Sequence, residues 1–148
     1  MKPIPTMATA LVLVHLVISY LHGDAHEQLG VGLAAWQWAY VYVVTLAAPL
    51  LAMVLYWTRW SAAGAMLLGV SMVGSFAFGV YHHFVAVSPD HVSHLPPGDA
   101  QGMFIATAWL LAISEAVIAA FGFWSFARLR RAPAGPAIQH EQPGSAVS

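Results

Sequence analysis

The chain has 148 residues, of which 59% are hydrophobic and 7% charged, and its mean hydropathy is +0.70; a soluble domain carries about 25% charge, so this composition excludes an ordinary water-soluble fold. Five basic residues and a net charge of −1 leave no basic patch for nucleic acid. Cysteine is absent, which excludes disulfides, thiolate metal sites, cysteine-ligated iron–sulfur clusters and covalently attached haem.

Apolar residues gather in four blocks, at 7–22, 33–57, 62–87 and 103–127. Each is near the ~20 residues that a helix needs to cross a bilayer. Long alanine, leucine and valine runs without period-2 alternation predict helices rather than barrel strands. The expected fold is all-α, an integral membrane four-helix bundle over residues 1–131. The proline- and glycine-rich stretch 132–148, which contains His140, is expected to be a disordered tail.

Span one carries His15, Ser19, His22 and His26 at steps of four, three and four. These side chains share one face as far as the helix lasts, and Gly23 and Asp24 threaten it after His22. His22 and His26 stand one turn apart, a spacing that puts two imidazoles on one metal, with Asp24 and Glu27 as nearby oxygen donors. Lys2 and the apolar run after it also resemble a signal peptide, with Gly23 and Ala25 spaced for cleavage after Ala25. A chain beginning at His26 would bind copper through its amine and imidazole together.

Span two has aromatic residues at both ends: Trp36, Trp38, Tyr40 and Tyr42, then Tyr56, Trp57 and Trp60. Such rings favour the headgroup level. Pro49 lacks an N–H, which predicts a kink and frees the Thr45 carbonyl. In span three, Gly64, Gly69, Ser71, Gly74, Ser75 and Gly79 predict a close helix contact. His82 and His83 end that span. Ser88 as a cap and Pro89 in the first turn predict a short helix over 89–95, stopped by Pro96 and Pro97. That helix would set His91 and His94 on one side, beside Asp90.

Glu115 lies in the middle of span four. A carboxylate there costs about 2.5–3.5 kcal/mol on insertion scales, so it should face the interior, protonated or paired. His15, at similar depth, is the expected partner, either as a proton-handling or as a structural pair.

Lys2, Arg59, Arg128, Arg130 and Arg131 all fall on one side of a four-span arrangement. The positive-inside rule therefore places both termini in the cytoplasm of a multi-pass cell-membrane protein, with loops 23–32 and 88–102 outward.

Six histidines, His22, His26, His82, His83, His91 and His94, then share the outward third with Asp90. Imidazole suits copper, zinc, iron and nickel. Haem b is a second ligand to consider, held between His15 or His22 on span one and His82 or His83 on span three. The resulting expectation is an outward-facing metal or haem site for metal handling or electron transfer. Two other readings are a non-catalytic accessory or scaffold subunit and a small proton-coupled channel or transporter using Glu115. Expected partners are the lipid bilayer, a homo-oligomer or a larger membrane complex, and no nucleic acid. No nucleotide-binding loop, serine-hydrolase elbow or HExxH motif is present.

Overall fold

The computed structural model describes residues 3–131. They form four long helices and no strand: α1 (Pro3–Leu29), α2 (Ala35–Tyr56), α3 (Ser61–Val85) and α4 (Gln101–Arg131). Each is long and apolar enough to cross a membrane. The tail with His140 lies outside the described residues, as does Lys2. Contacts run between α3 and α4, α1 and α4, α2 and α3, and α1 and α2.

Polarity is reversed relative to a water-soluble protein. Val14, Val17, Leu51, Val70 and Ile113 lie on the outside, more than half exposed. His15, Ser71, Ser75, Thr107, Glu115 and Ser125 are buried between the helices. An apolar exterior costs nothing where the surroundings are hydrocarbon, and polar side chains then find partners inside.

The apolar core sits at the end that holds the first turns of α1 and the last turns of α4. It comprises Ala8, Val12, Ala52, Tyr56, Ala65, Leu68, Met72, Ile118 and Ala119. Small residues set the spacing there, as the pattern in span three predicts. A Cβ at Gly122 would stand 2.6 Å from the Gly69 nitrogen, and one at Gly64 would stand 2.8 Å from the Ala52 carbonyl oxygen. The opposite end is left to the histidines.

Two local expectations change. Helix α1 does not weaken at Gly23; it runs on to Leu29, with Ala25 fully buried. Helix packing outweighs the roughly 1 kcal/mol that a glycine costs there. Cleavage after Ala25 would therefore cut a packed helix and remove His22. The predicted short helix over 89–95 is instead a run of isolated turns, closed by His91 N–H to the Ser88 carbonyl (3.0 Å) and His94 N–H to the His91 carbonyl (2.8 Å). Ser88 does cap the first turn, since its Oγ accepts the Asp90 N–H at 3.3 Å. Val92 N–H donates to the His83 carbonyl at 3.0 Å. That tie to the end of α3 competes with helix propagation.

Both central spans contain a π-helical turn. In α2 it covers Val41–Ala47, immediately before Pro49. In α3 it covers Tyr81–Val85 and closes with Ala86 N–H to the Tyr81 carbonyl at 2.7 Å. Such turns insert one extra residue and re-aim the side chains around them.

Candidate metal centre

The site begins with the way α1 stops. Gly30 adopts φ +63°, a left-handed conformation that glycine takes without a Cβ clash. Gly30 N–H then donates to the Glu27 carbonyl (3.1 Å), and Val31 N–H to the His26 carbonyl (3.0 Å). This is a Schellman cap. It folds the chain back so that the Val31 carbonyl accepts from His26 Nδ1–H at 3.0 Å. The same turn that ends the helix thus fixes one imidazole.

His22, one turn earlier, is fixed by α4. Thr107 Oγ1–H donates to the Met103 carbonyl at 2.6 Å, so its oxygen accepts from His22 Nδ1–H at 2.9 Å. His83 is aimed inward by the π turn of α3, and its Nδ1–H donates to the Asp90 carbonyl at 3.1 Å. Phe104 walls the group, with ring centroids 4.7 Å from His22, 4.7 Å from His26 and 5.4 Å from His83. All three histidines are buried.

Each Nδ1 therefore carries a proton, which in the neutral imidazole leaves the lone pair on Nε2. One nitrogen from each of His22, His26 and His83 lies within 4.8 Å of the others. His22 Nε2 and His83 Nε2 face each other at 3.1 Å. His26 Nε2 faces Asp90 Oδ1 at 3.3 Å, and the same oxygen stands 3.2 Å from His83 Nδ1. Both Asp90 side-chain oxygens are buried without a hydrogen bond. Burial pushes the Asp90 carboxyl up, but the His83 N–H beside it and the positive charge that His83, His26 and His22 carry when protonated outweigh burial and hold the group below the usual carboxylate value. Asp90 is an anion. With neutral imidazoles, acceptors meet acceptors at two points of one buried cluster, an arrangement that a metal ion resolves, as protons on the imidazoles also would.

A cavity of about 100 Å³ adjoins the cluster. His22, His26, His83 and Asp90 line one part of it, and Thr45, Ser75 and Glu115 another. Glu115 is 3% exposed and makes no hydrogen bond or ion pair with any described residue. Gly79 stands between Glu115 and the cluster. A Cβ there would lie 3.8 Å from Glu115 Oε2 and 4.0 Å from His83 Cδ2.

The other candidates lie elsewhere. His15 does not pair with Glu115; its Nε2–H donates to the Thr45 carbonyl at 3.1 Å. His82 lies beyond the cluster, next to Gln37 at 3.4 Å and against Phe78 and Trp36. His91 and His94 form a separate pair on the loop surface, with their Nδ1 atoms 3.2 Å apart. Asp24 accepts from Gln28 Nε2–H at 2.7 Å, and Glu27 is exposed. Haem b does not fit between His22 and His83, because nitrogens 3.1 Å apart admit an ion but not a tetrapyrrole plane.

Thr107, Val31, Phe104 and Gly79 carry no metal-ligand signal in the sequence. Thr107 and Phe104 lie three residues apart on α4, and that shared face was the available hint. No protein-family model, no curated protein and no solved structure matches this chain.

Proposed function

We propose that this is a multi-pass membrane four-helix bundle carrying a resident transition-metal centre at its outward end. His22, His26 and His83 are its imidazole ligands, and Asp90 supplies the balancing negative charge. The observation behind this reading is the pair of acceptor–acceptor contacts, His22 Nε2 to His83 Nε2 at 3.1 Å and His26 Nε2 to Asp90 Oδ1 at 3.3 Å. Around a tetrahedral ion with bonds of about 2.0–2.1 Å, ligand atoms stand roughly 3.3 Å apart. Three imidazoles suit a borderline divalent ion such as copper, zinc or iron, and Asp90 beside them balances its charge. Each imidazole donates its other N–H to an oxygen, the outer-shell pattern that metal-bound histidines use.

The distribution of basic residues supports cytoplasmic termini and an outward-facing centre, where it would serve metal handling or electron transfer. The test is elemental analysis of detergent-purified, untagged protein. About one equivalent of one metal is expected, and it should be lost in His83→Ala. Absence of metal after supplementation would overturn the reading and leave a proton-sharing histidine pair. A reporter fused to the C-terminus and found outside the cell would overturn the orientation.

A further inference from the structure

Resting on the metal reading, we infer that the centre keeps an open coordination position toward the cavity. That position takes a small exogenous ligand of one to three heavy atoms, held at its far end by Glu115. A metal buried for structure alone has its coordination closed by protein donors. Here only three donors converge, the imidazoles of His22 and His26 on α1 and of His83 on α3, and Asp90 beside them balances charge. The side toward Thr45, Ser75 and Glu115 holds the cavity instead.

Its dimensions select the ligand. About 100 Å³ holds a few water-sized groups. Leu33, Val41, Phe78, Ala108 and Leu111 make most of its wall apolar. Ser19, Thr45 and Ser75, which also line it, have hydrogen-bond partners; Glu115 is buried to 97%, has no partner among the described residues, and opens on this space. A buried carboxyl without a hydrogen bond is costly, and a ligand spanning from the metal to its oxygen relieves that cost. Gly79 keeps the way between them clear, since its missing Cβ would sit in van der Waals range of both Glu115 and His83. A metal-bound water, a diatomic molecule or a triatomic anion meets these limits. Metal-bound water is displaced when another such ligand enters, with no change in oxidation state.

The test uses the full-length protein in detergent, loaded with Cu(II), with azide as the probe. Copper content is measured in every sample, and azide binding is read from the azide-to-copper charge-transfer band. One saturable azide per copper is expected. Glu115→Leu should keep its copper and bind azide at least about tenfold more weakly, through the loss of one hydrogen bond donated by the protonated carboxyl to the anion. Gly79→Leu should keep its copper and lose the band. Gly79→Ala places its Cβ at ordinary contact distances, so it should fold normally and bind azide with intermediate affinity. Full copper with no azide band, or a band that all three substitutions leave unchanged, would overturn this inference alone. Failure of the wild-type protein to take up copper, zinc or iron would overturn the metal reading itself.

Discussion

The Thr45 carbonyl accepts a hydrogen bond from His15 Nε2–H at 3.1 Å, and the residue in its α-helical donor position is Pro49. The backbone bond that proline removes is thus replaced by a side chain from the neighbouring helix. Ser75 Oγ–H donates to Thr45 Oγ1 at 2.8 Å, so α1, α2 and α3 meet at one residue. His15→Leu should lower stability in detergent by about 1–3 kcal/mol, because it strands a buried carbonyl. In a Pro49→Ala background, which restores an N–H, the loss should shrink. A double-mutant cycle of unfolding midpoints reads the coupling. Equal losses in both backgrounds would mean that Pro49 and His15 act independently.

Metal retention should divide the histidines into two sets. His22→Ala, His26→Ala and His83→Ala should each abolish stoichiometric metal. The double variant His91→Ala/His94→Ala should keep it, and so should His82→Ala, because these side chains lie outside the cluster. Elemental analysis of the five proteins decides this. Metal lost with His91 and His94 but kept without His22 would move the site to the loop.

Some of this was legible in the sequence. Four apolar blocks predict the four helices because the length needed to cross a bilayer leaves little choice. The one-turn step from His22 to His26 predicts a shared face, and the structure keeps it. Choosing between His82 and His83 was beyond pattern reading, because it depends on a π turn that rotates one inward and the other toward Trp36 and Phe78. His91 and His94 look like ligands by spacing, yet their segment forms turns tied to the end of α3 by Val92 N–H to the His83 carbonyl. The pairing of Glu115 with His15 assumed that groups of equal depth meet. The carbonyl freed by Pro49 was the stronger claim on His15.

Thr107 should matter to the metal without touching it. Its oxygen orients the His22 ring by accepting from Nδ1 at 2.9 Å. Thr107→Val keeps the shape and removes the acceptor, and metal affinity should fall about 10–100-fold. Thr107→Ser should restore it. Competition with a chromophoric chelator measures both, and identical affinities for Val and Ser would show that the bond does no orienting.

Asp90 makes acid stability informative in the metal-free protein. Its folded-state value lies below the usual carboxylate value. The carboxylate therefore stabilises the fold above the unfolded value of about 3.9, and this contribution is lost as pH falls through the lower folded value. Asp90→Asn should depress Tm at pH 7, and the gap to wild type should close below about pH 4. A gap that stayed constant with pH would mean that Asp90 acts through its shape rather than its charge.

Two glycines in helices should respond in opposite directions to the same substitution. At Gly122 a Cβ would stand 2.6 Å from the Gly69 nitrogen and 2.7 Å from its Cα, so α3 and α4 must part to admit it. Backbone cannot rotate away as a side-chain tip does, and Gly122→Ala should cost about 1–3 kcal/mol. At Gly23 a Cβ would meet nothing within 4 Å, and the residue is helical on both sides. Gly23→Ala should stabilise by about 0.5–1 kcal/mol, chiefly by restricting the unfolded chain. Thermal unfolding of the two variants in one detergent compares them directly. If Gly122→Ala were neutral, the close crossing of α3 and α4 would not be what holds that end together.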